Sequence, residues 1–310
     1  MSDNKKLKQD ELFRVVEYSA DAAERIGYSN YSYWRSVWQN FLKNKPAVIM
    51  GTVFIFLVIF SFIALAIGKY QYSELLSDQN QSFLGPTAEY WFGTDNLGRD
   101  YWCQVWYAAQ VSIKLSLVVA IGEAIIGVAI GCLWGYVRLL DRPLTELYNV
   151  INNIPTIIYM MLVALMVGQG FGIMATAMIA TGWLIMARNV RNLVLMYRDR
   201  EYNLASRCLG TPVWRVLVKN IFPYLISVVI LRLALSIPGT IALESTLSYL
   251  GLGMGVETPS LGLLLRNARN FFLDYPHLLI FPAVIVSMIT ISFYLMGNAV
   301  SDAADPRNHV

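Results

Sequence analysis

Histidine, cysteine and charge are all scarce in this chain. Two histidines, His277 and His309, and three cysteines, Cys103, Cys132 and Cys208, are scattered among 310 residues. No CxxC occurs, so neither a disulfide framework nor a zinc site is encoded. Little material remains for metal or acid–base chemistry. Only 15% of residues are charged, against about 25% in a soluble globular chain. With 24 Lys+Arg against 21 Asp+Glu, the net charge is +3, which argues against a nucleic-acid binder. No GxxxxGKS or GxxxxGKT, no HExxH and no GxSxG is present. That removes a phosphate-cradling loop for ATP, a zinc-protease helix and a serine-nucleophile elbow. What is abundant is hydrocarbon: 56% of residues are hydrophobic and mean hydropathy is +0.48. Such a chain lives in lipid.

About 20 apolar residues cross a ~30 Å hydrocarbon core, so the charge-free runs count the spans. Lys45 to Lys69 encloses 23 uncharged residues, which places the first span at about 47–67. Lys114 to Arg138 encloses another 23, interrupted only by Glu123. Glu146 to Arg188 encloses 41, too many for one helix, with Gly168-Gln169-Gly170 as a turn in the middle. Lys219 to Glu244 encloses 24, interrupted only by Arg232, and Asp274 to Asp302 encloses 27. The total is six. Residues 1–46 then form an N-terminal segment and 68–113 a long segment after the first span. Residues 114–300 hold the other five spans, with a polar loop at about 198–223, and 301–310 form the tail. The first span follows 46 mostly polar residues, which argues against a cleavable signal peptide. Within them Leu12, Val15, Val16, Ala23 and Ile26 fit a short amphipathic helix, an interfacial anchor or packing element.

Orientation follows from Lys and Arg near the span ends. Arg188, Arg191, Arg198, Arg200, Arg207, Arg215 and Lys219 lie between spans four and five, Arg138 and Arg142 between two and three, and Arg35, Lys43 and Lys45 before the first. The other face carries Lys69, Arg99, Lys114, Arg266 and Arg269. Both termini are therefore expected in the cytoplasm.

The loop between spans four and five is the most informative. Tyr202–Leu209 is built of good helix formers, and Gly210 follows where helices stop in a left-handed residue. Thr211 is positioned to cap a second helix with Pro212 at its first turn. Val213, Val216, Leu217 and Ile221 give that helix an apolar stripe, and Pro223 closes the unit before span five. The pattern encodes a rigid, basic helix–turn–helix elbow suited to transmitting force from a soluble partner.

Leu204-Ala205-Ser206, then Gly210, then Pro223 thirteen residues later resembles the EAA loop of ABC-importer permeases. The family's Glu and second Ala read Leu204 and Ser206 here. Trp91-Phe92-Gly93-Thr94-Asp95-Asn96-Leu97-Gly98-Arg99-Asp100 resembles the FGTDxxGRD signature of the C-type subunit of oligopeptide and dipeptide permeases. Glu244 to Gly253, then Pro259-Ser260-Leu261-Gly262, is similar to that family's segment after span five, with Leu261 where a Trp is usual. Gly297-Asn298, Asp302 and Asp305-Pro306-Arg307 fit the family's tail.

The resemblance implies an all-α, type I importer permease fold with six transmembrane helices, placed in the cell membrane. It implies no catalysis and no cofactor in this chain. ATP and Mg would be bound by two partner ATPase subunits, docked on Glu201, Leu204, Ala205, Ser206, Arg207, Gly210, Thr211, Pro212 and Pro223. The other implied partners are a second, B-type permease in a heterodimer, an extracytoplasmic peptide-binding protein and membrane lipid. Cargo in systems of this signature ranges over dipeptides, longer peptides, glutathione and nickel. The lack of a His/Cys/carboxylate cluster leans against metal.

Other residues are read directly from their chemistry. In Phe92, Gly93, Thr94, Asp95, Gly98, Arg99 and Asp100, two glycines flank an Asp–Arg–Asp set able to hydrogen-bond its own loop, so Arg99 reads as a loop-locking residue. Glu123 and Arg232 sit within spans, where a central charge costs roughly 2.5–3.5 kcal/mol and marks a functional candidate. At 1.5 Å per residue they lie ~12 and ~16 Å below the outer face. They either pair, share a water-filled cavity, or face a partner separately. Asn152 and Asn153, beside Pro155, and Glu244 are further pathway candidates, the asparagines also reading as a helix start with satisfied polar groups. Gly127, Gly131 and Gly135 repeat every four residues, the pattern of a close helix–helix approach, within this chain or against a second permease. A secondary transporter working without ATP would use Glu123 and Arg232 as a relay, but leaves the elbow and the FGTDNLGRD loop without a role. An intramembrane protease lacks its histidine base or ligands.

Overall fold

The computed structural model describes residues 33–68, 81–255 and 258–304. The proposed amphipathic helix before residue 33 and Asp305-Pro306-Arg307 lie outside the described residues. Among those described, the regular secondary structure is helical apart from one isolated bridge between Thr94 and Asp100. In chain order the helices are α1 (Tyr33–Lys43), α2 (Lys45–Ile67), α3 (Tyr101–Tyr136), α4 (Arg138–Asn152), α5 (Thr156–Val167), α6 (Phe171–Arg198), α7 (Glu201–Cys208), α8 (Val213–Tyr249), α9 (Leu261–Arg269) and α10 (His277–Ala304). Five of them, α2, α3, α6, α8 and α10, are long and apolar enough to cross a membrane.

The third predicted span is broken. The α4–α5 pair meets at 79°. Pro155 disfavours helical backbone at Ile154, and Asn153 ends α4 by donating from its amide to the Asn149 carbonyl at 2.6 Å. Alone, α5 is only ~18 Å long at 1.5 Å per residue. α4 is amphipathic and is tied to α6 by an Arg191–Asp141 ion pair at 2.5 Å and by Arg188 over the Tyr148 ring.

The second predicted span also differs, because α3 begins at Tyr101 and takes in residues 101–113 of the expected outer segment. Asp100 caps its start, accepting from the Trp102 amide at 3.0 Å. Lys114, where the charge-free run stops, lies beside the Phe62 ring without ending the helix. The turn at 168–170 is present, with both glycines at positive φ.

α3 is the central element. Gly127, Gly131 and Gly135 bring it onto α6 so closely that a methyl at Gly131 would lie 2.6 Å from the Ala187 carbonyl. The glycine stripe is therefore used within this chain. One core joins α2, α3, α8, α9 and α10 around Val105, Ile241, Leu261 and Ile289. A second joins α3, α5, α6 and α8 around Leu115, Met160 and Leu247. A third, near the elbow, packs Val190 and Val194 against Val216, Ile221 and Leu225. α1 packs Val37 on Ala303 and Ala304 at the end of α10, so α1, the elbow and the end of α10 share one end of the bundle.

Candidate functional site

Three constructions carry the candidate residues: the elbow, the loop before α3, and a cavity between α3, α6 and α8. In the elbow, α7 ends at Gly210 with φ +80°. The Thr211 amide donates to the Ser206 carbonyl and the Gly210 amide to the Arg207 carbonyl, at 3.0 and 2.9 Å, the paired bonds of a glycine-terminated helix. The second arm departs from expectation. Thr211 makes no side-chain cap, Pro212 stands at the N-cap position, and the helix starts at Val213. It does not close at Pro223 but runs on into α8 through a wide turn, Val216–Ile221, with i→i+5 bonding. Pro223 lacks an N–H and its ring crowds the carbonyl four residues back; the wide turn beside it relieves that conflict.

Of the predicted stripe, Val216 and Ile221 are fully buried, whereas Val213 is exposed. Glu201, Leu204, Ala205, Arg207, Gly210 and Pro212 are exposed, and Ser206, Thr211 and Pro223 half-buried. Leu204, Leu209, Val213 and Trp214 add apolar surface around the bend, Leu209 being 87% exposed. What holds the elbow is a residue the motif reading missed. Asn203, fully buried, donates to the Tyr197 carbonyl and accepts from the Asn220 amide, both at 2.8 Å. It thus ties α7 to the end of α6 and to the wide turn of α8. A polar residue between Tyr202 and Leu204 was the only sequence signal for it. Beside the elbow, hydrogen bonds from Arg198 hold the Asp199 carboxyl below its ordinary range, aided by Arg138 and Arg207.

The loop before α3 is locked by Asp95, only 6% exposed. Its Oδ1 accepts from the amides of Leu97 and Arg99, at 2.9 and 2.8 Å. Its Oδ2 takes Arg99 Nε and Nη2 and the Gln104 amide, at 2.8, 2.7 and 2.9 Å. Arg99 therefore binds Asp95 rather than bridging to Asp100, which caps α3. Thr94 accepts from the Leu84 amide and donates to the Gln81 carbonyl. Gly93 and Gly98 both have positive φ, and a methyl on Gly93 would strike the Leu84 carbonyl. Phe92 stacks on Phe281 with ring centroids 3.9 Å apart.

A cavity of about 250 Å³ is lined by both intramembrane charges, Glu123 and Arg232. Among the described residues they form no ion pair with each other. Glu123 Oε2 accepts from Ser236 at 2.5 Å, and Arg232 Nη2 donates to Asn189 Oδ1 at 3.3 Å. Ser236 and Arg232 are one helical turn apart on α8. Gly182 makes room for Glu123, since a methyl there would overlap its carboxyl. Gly182, Asn189 and Ser236 carry no motif, and only the folded chain brings them to these charges. Asn152 and Asn153 do not line the cavity; they sit exposed at the α4–α5 break, while Thr156 and Tyr159 of α5 reach it. Glu244 is 1% exposed and also outside the cavity lining. Its Oε1 accepts from Ser248 and Ser260 at 2.6 and 2.5 Å, and its other oxygen faces Gly262. Glu244 thus ties the segment before α9 to α8.

Long apolar helices, a broken third span, a cavity bearing charge and a rigid elbow at one end define a multi-pass transmembrane permease. The chain belongs to the inner-membrane components of binding-protein-dependent transport systems, whose family model matches residues 127–310. The N-terminal transmembrane domain of oligopeptide transport permease C matches residues 32–86. The chain is 36% identical to the oligopeptide transport permease AmiD of Streptococcus pneumoniae, over 96% of this chain and 98% of that protein. It is 31% identical to the dipeptide transport permease DppC of Bacillus subtilis, over 96% and 93% of the two chains. To OppC, the oligopeptide transport permease of the same organism, it is 30% identical, over 96% and 97%.

Proposed function

We propose that this chain is the C-type permease of an ATP-driven peptide importer in the cell membrane. It forms half of the translocation pathway beside a second, B-type permease. Cargo passes along the wall that holds Glu123 and Arg232, delivered by an extracytoplasmic binding protein. Two ATPase subunits dock on the elbow, bind ATP and Mg, and carry out hydrolysis; this chain supplies path and lever. The termini and elbow face the cytoplasm, in keeping with the excess of Lys and Arg at that end. The residues from Arg99 to Lys114 and the segment around α9 then face the outside. Peptide cargo is supported by the names of the relatives, and permeases for glutathione or nickel are the nearest other readings.

The observation that carries the proposal is the elbow. An exposed apolar bend, pinned from within by Asn203, is continuous with the helix that lines the cavity. The test is purification with the partner subunits. Peptide-stimulated ATPase activity should accompany the chain. Gly210→Val should abolish that stimulation while leaving the chain folded, because a branched residue resists φ +80° although nothing lies within 4 Å of the site. Uptake that persists with ATP depleted and the proton gradient intact would refute the proposal in favour of a secondary carrier.

A further inference from the structure

We propose that Glu123 and Arg232 are opposite poles of a site for peptide termini: Glu123 receives the α-ammonium and Arg232 the α-carboxylate of a zwitterionic cargo. The inference rests on the peptide-permease reading above and adds the groups that recognise the cargo.

Two charges inside a membrane are expensive, and the cheapest arrangement for them is mutual pairing. Here each is held instead by a neutral partner, and the partner of Glu123, Ser236, lies one helical turn from Arg232, about 6 Å along α8. Ser236 fixes one carboxyl oxygen of Glu123. Asn189, itself anchored on the Ile185 carbonyl at 2.7 Å, turns its amide oxygen to Arg232. Neither partner supplies a compensating charge, so each group is left to meet an opposite charge from within the cavity. Gly182 is part of the same arrangement, because any side chain there would push Glu123 away. The rest of the wall reads no particular side chain. Thr181, Gly239 and Thr240 are small, and Met178 and Met186 are adaptable apolar surface. A cargo whose ends are constant and whose side chains vary matches that division. At about 250 Å³ the cavity is smaller than the roughly 300–1,000 Å³ of a complete ligand pocket, as one wall of a site shared with a second permease would be.

The complete transporter, reconstituted in proteoliposomes with its binding protein and ATPases, is offered trialanine, N-acetyl-trialanine and trialanine amide. Uptake of each modified peptide is divided by that of trialanine. The binding protein is the same in every arm, so its own preference cancels when variants are compared with wild type. Glu123→Gln should weaken discrimination against the acetylated peptide about tenfold, the size of one charge-assisted hydrogen bond, and leave the amide ratio unchanged. Arg232→Gln should do the reverse, and Arg232→Lys should restore the amide ratio. Gly182→Ala should reproduce the Glu123→Gln pattern with the carboxyl still present. Wild-type ratios in all variants, or an equal loss for all three peptides, would overturn the inference while the peptide-permease reading stood. A wild-type transporter that moves none of the three with ATP present would overturn both.

Discussion

Glycine-to-alanine changes should have opposite signs at two positions of this fold, and the difference can be worked out from the packing. In a helix interior alanine is favoured over glycine by about 1 kcal/mol. At Gly131 the new methyl would lie 2.6 Å from the Ala187 carbonyl oxygen, 2.8 Å from Val190 Cβ and 3.0 Å from Ala187 Cα. Two of these three atoms are backbone, so relief requires α3 and α6 to separate. Overpacking of that kind costs about 1–3 kcal/mol. Two more glycines of the same stripe resist the movement, since methyls at Gly127 and Gly135 would approach Met186 and Val194 just as closely. The upper part of the range therefore applies, and the net loss for Gly131→Ala is about 1–2 kcal/mol. Gly172, in the first turn of α6, has open space where a methyl would stand, with no atom within 4 Å, and there the same change should be neutral or stabilising. Fluorescence-detected size-exclusion of the heated, detergent-solubilised transporter reads both. At roughly 2–4 °C per kcal/mol, Gly131→Ala should lower the midpoint by about 2–8 °C and Gly172→Ala should not lower it. Equal midpoints for the two variants would refute the close-approach argument.

Two further perturbations test the loop before α3. Asp95→Asn leaves the Arg99 guanidinium and the Gln104 amide facing an NH2 donor; loss of one partner of a largely buried pair costs about 3–5 kcal/mol. Trypsin should then cut at Arg99 much faster than in wild type, and unchanged cleavage would count against the lock. Burial pushes the Asp100 carboxyl above its ordinary range, despite hydrogen bonds to Cys103 and the Trp102 amide that act the other way. A raised pKa means the folded chain binds this proton more tightly than the unfolded chain. The contribution therefore favours folding as the pH falls from neutral toward the ordinary carboxylate range near 4. Asp100→Asn keeps the cap and should remove that pH dependence in a melt series, whereas Asp100→Ala should remove it too and lie about 1 kcal/mol below Asp100→Asn at every pH.

The parts legible from sequence were those written in short-range chemistry. A glycine after a helical octet marked the bend at Gly210, and charge-free runs located five of the six spans. The failures have physical causes. Counting to Lys114 cut thirteen residues from α3, because one lysine beside Phe62 does not stop a helix whose cap lies at Asp100. The third span looked continuous by hydropathy, yet Asn153 and Pro155 split it at 79°. Thr211 looked like a cap, but Pro212 follows it and the helix starts one residue later. The chemistry of Glu244 does not foretell its setting, since one of the two serines that enclose it lies sixteen residues away. Asn203, Asn189 and Gly182 were illegible because their partners are set by how α6, α7 and α8 meet.

The wide turn at Val216–Ile221 has a mechanical consequence. α8 spans 37 residues, a rod of ~55 Å at 1.5 Å per residue, and it meets no loop between the bend at Gly210 and the cavity. Pro238 lies past Ser236, so the stretch bearing Arg232 is interrupted only by that turn. Arg232 sits ~28 Å along the rod. Pivoting the near end through 10° would swing the guanidinium sideways by about 5 Å, more than the reach of any hydrogen bond it makes. A tilt of the rod alone, passed through that one turn, is thus enough to carry the arginine out of its contact with Asn189.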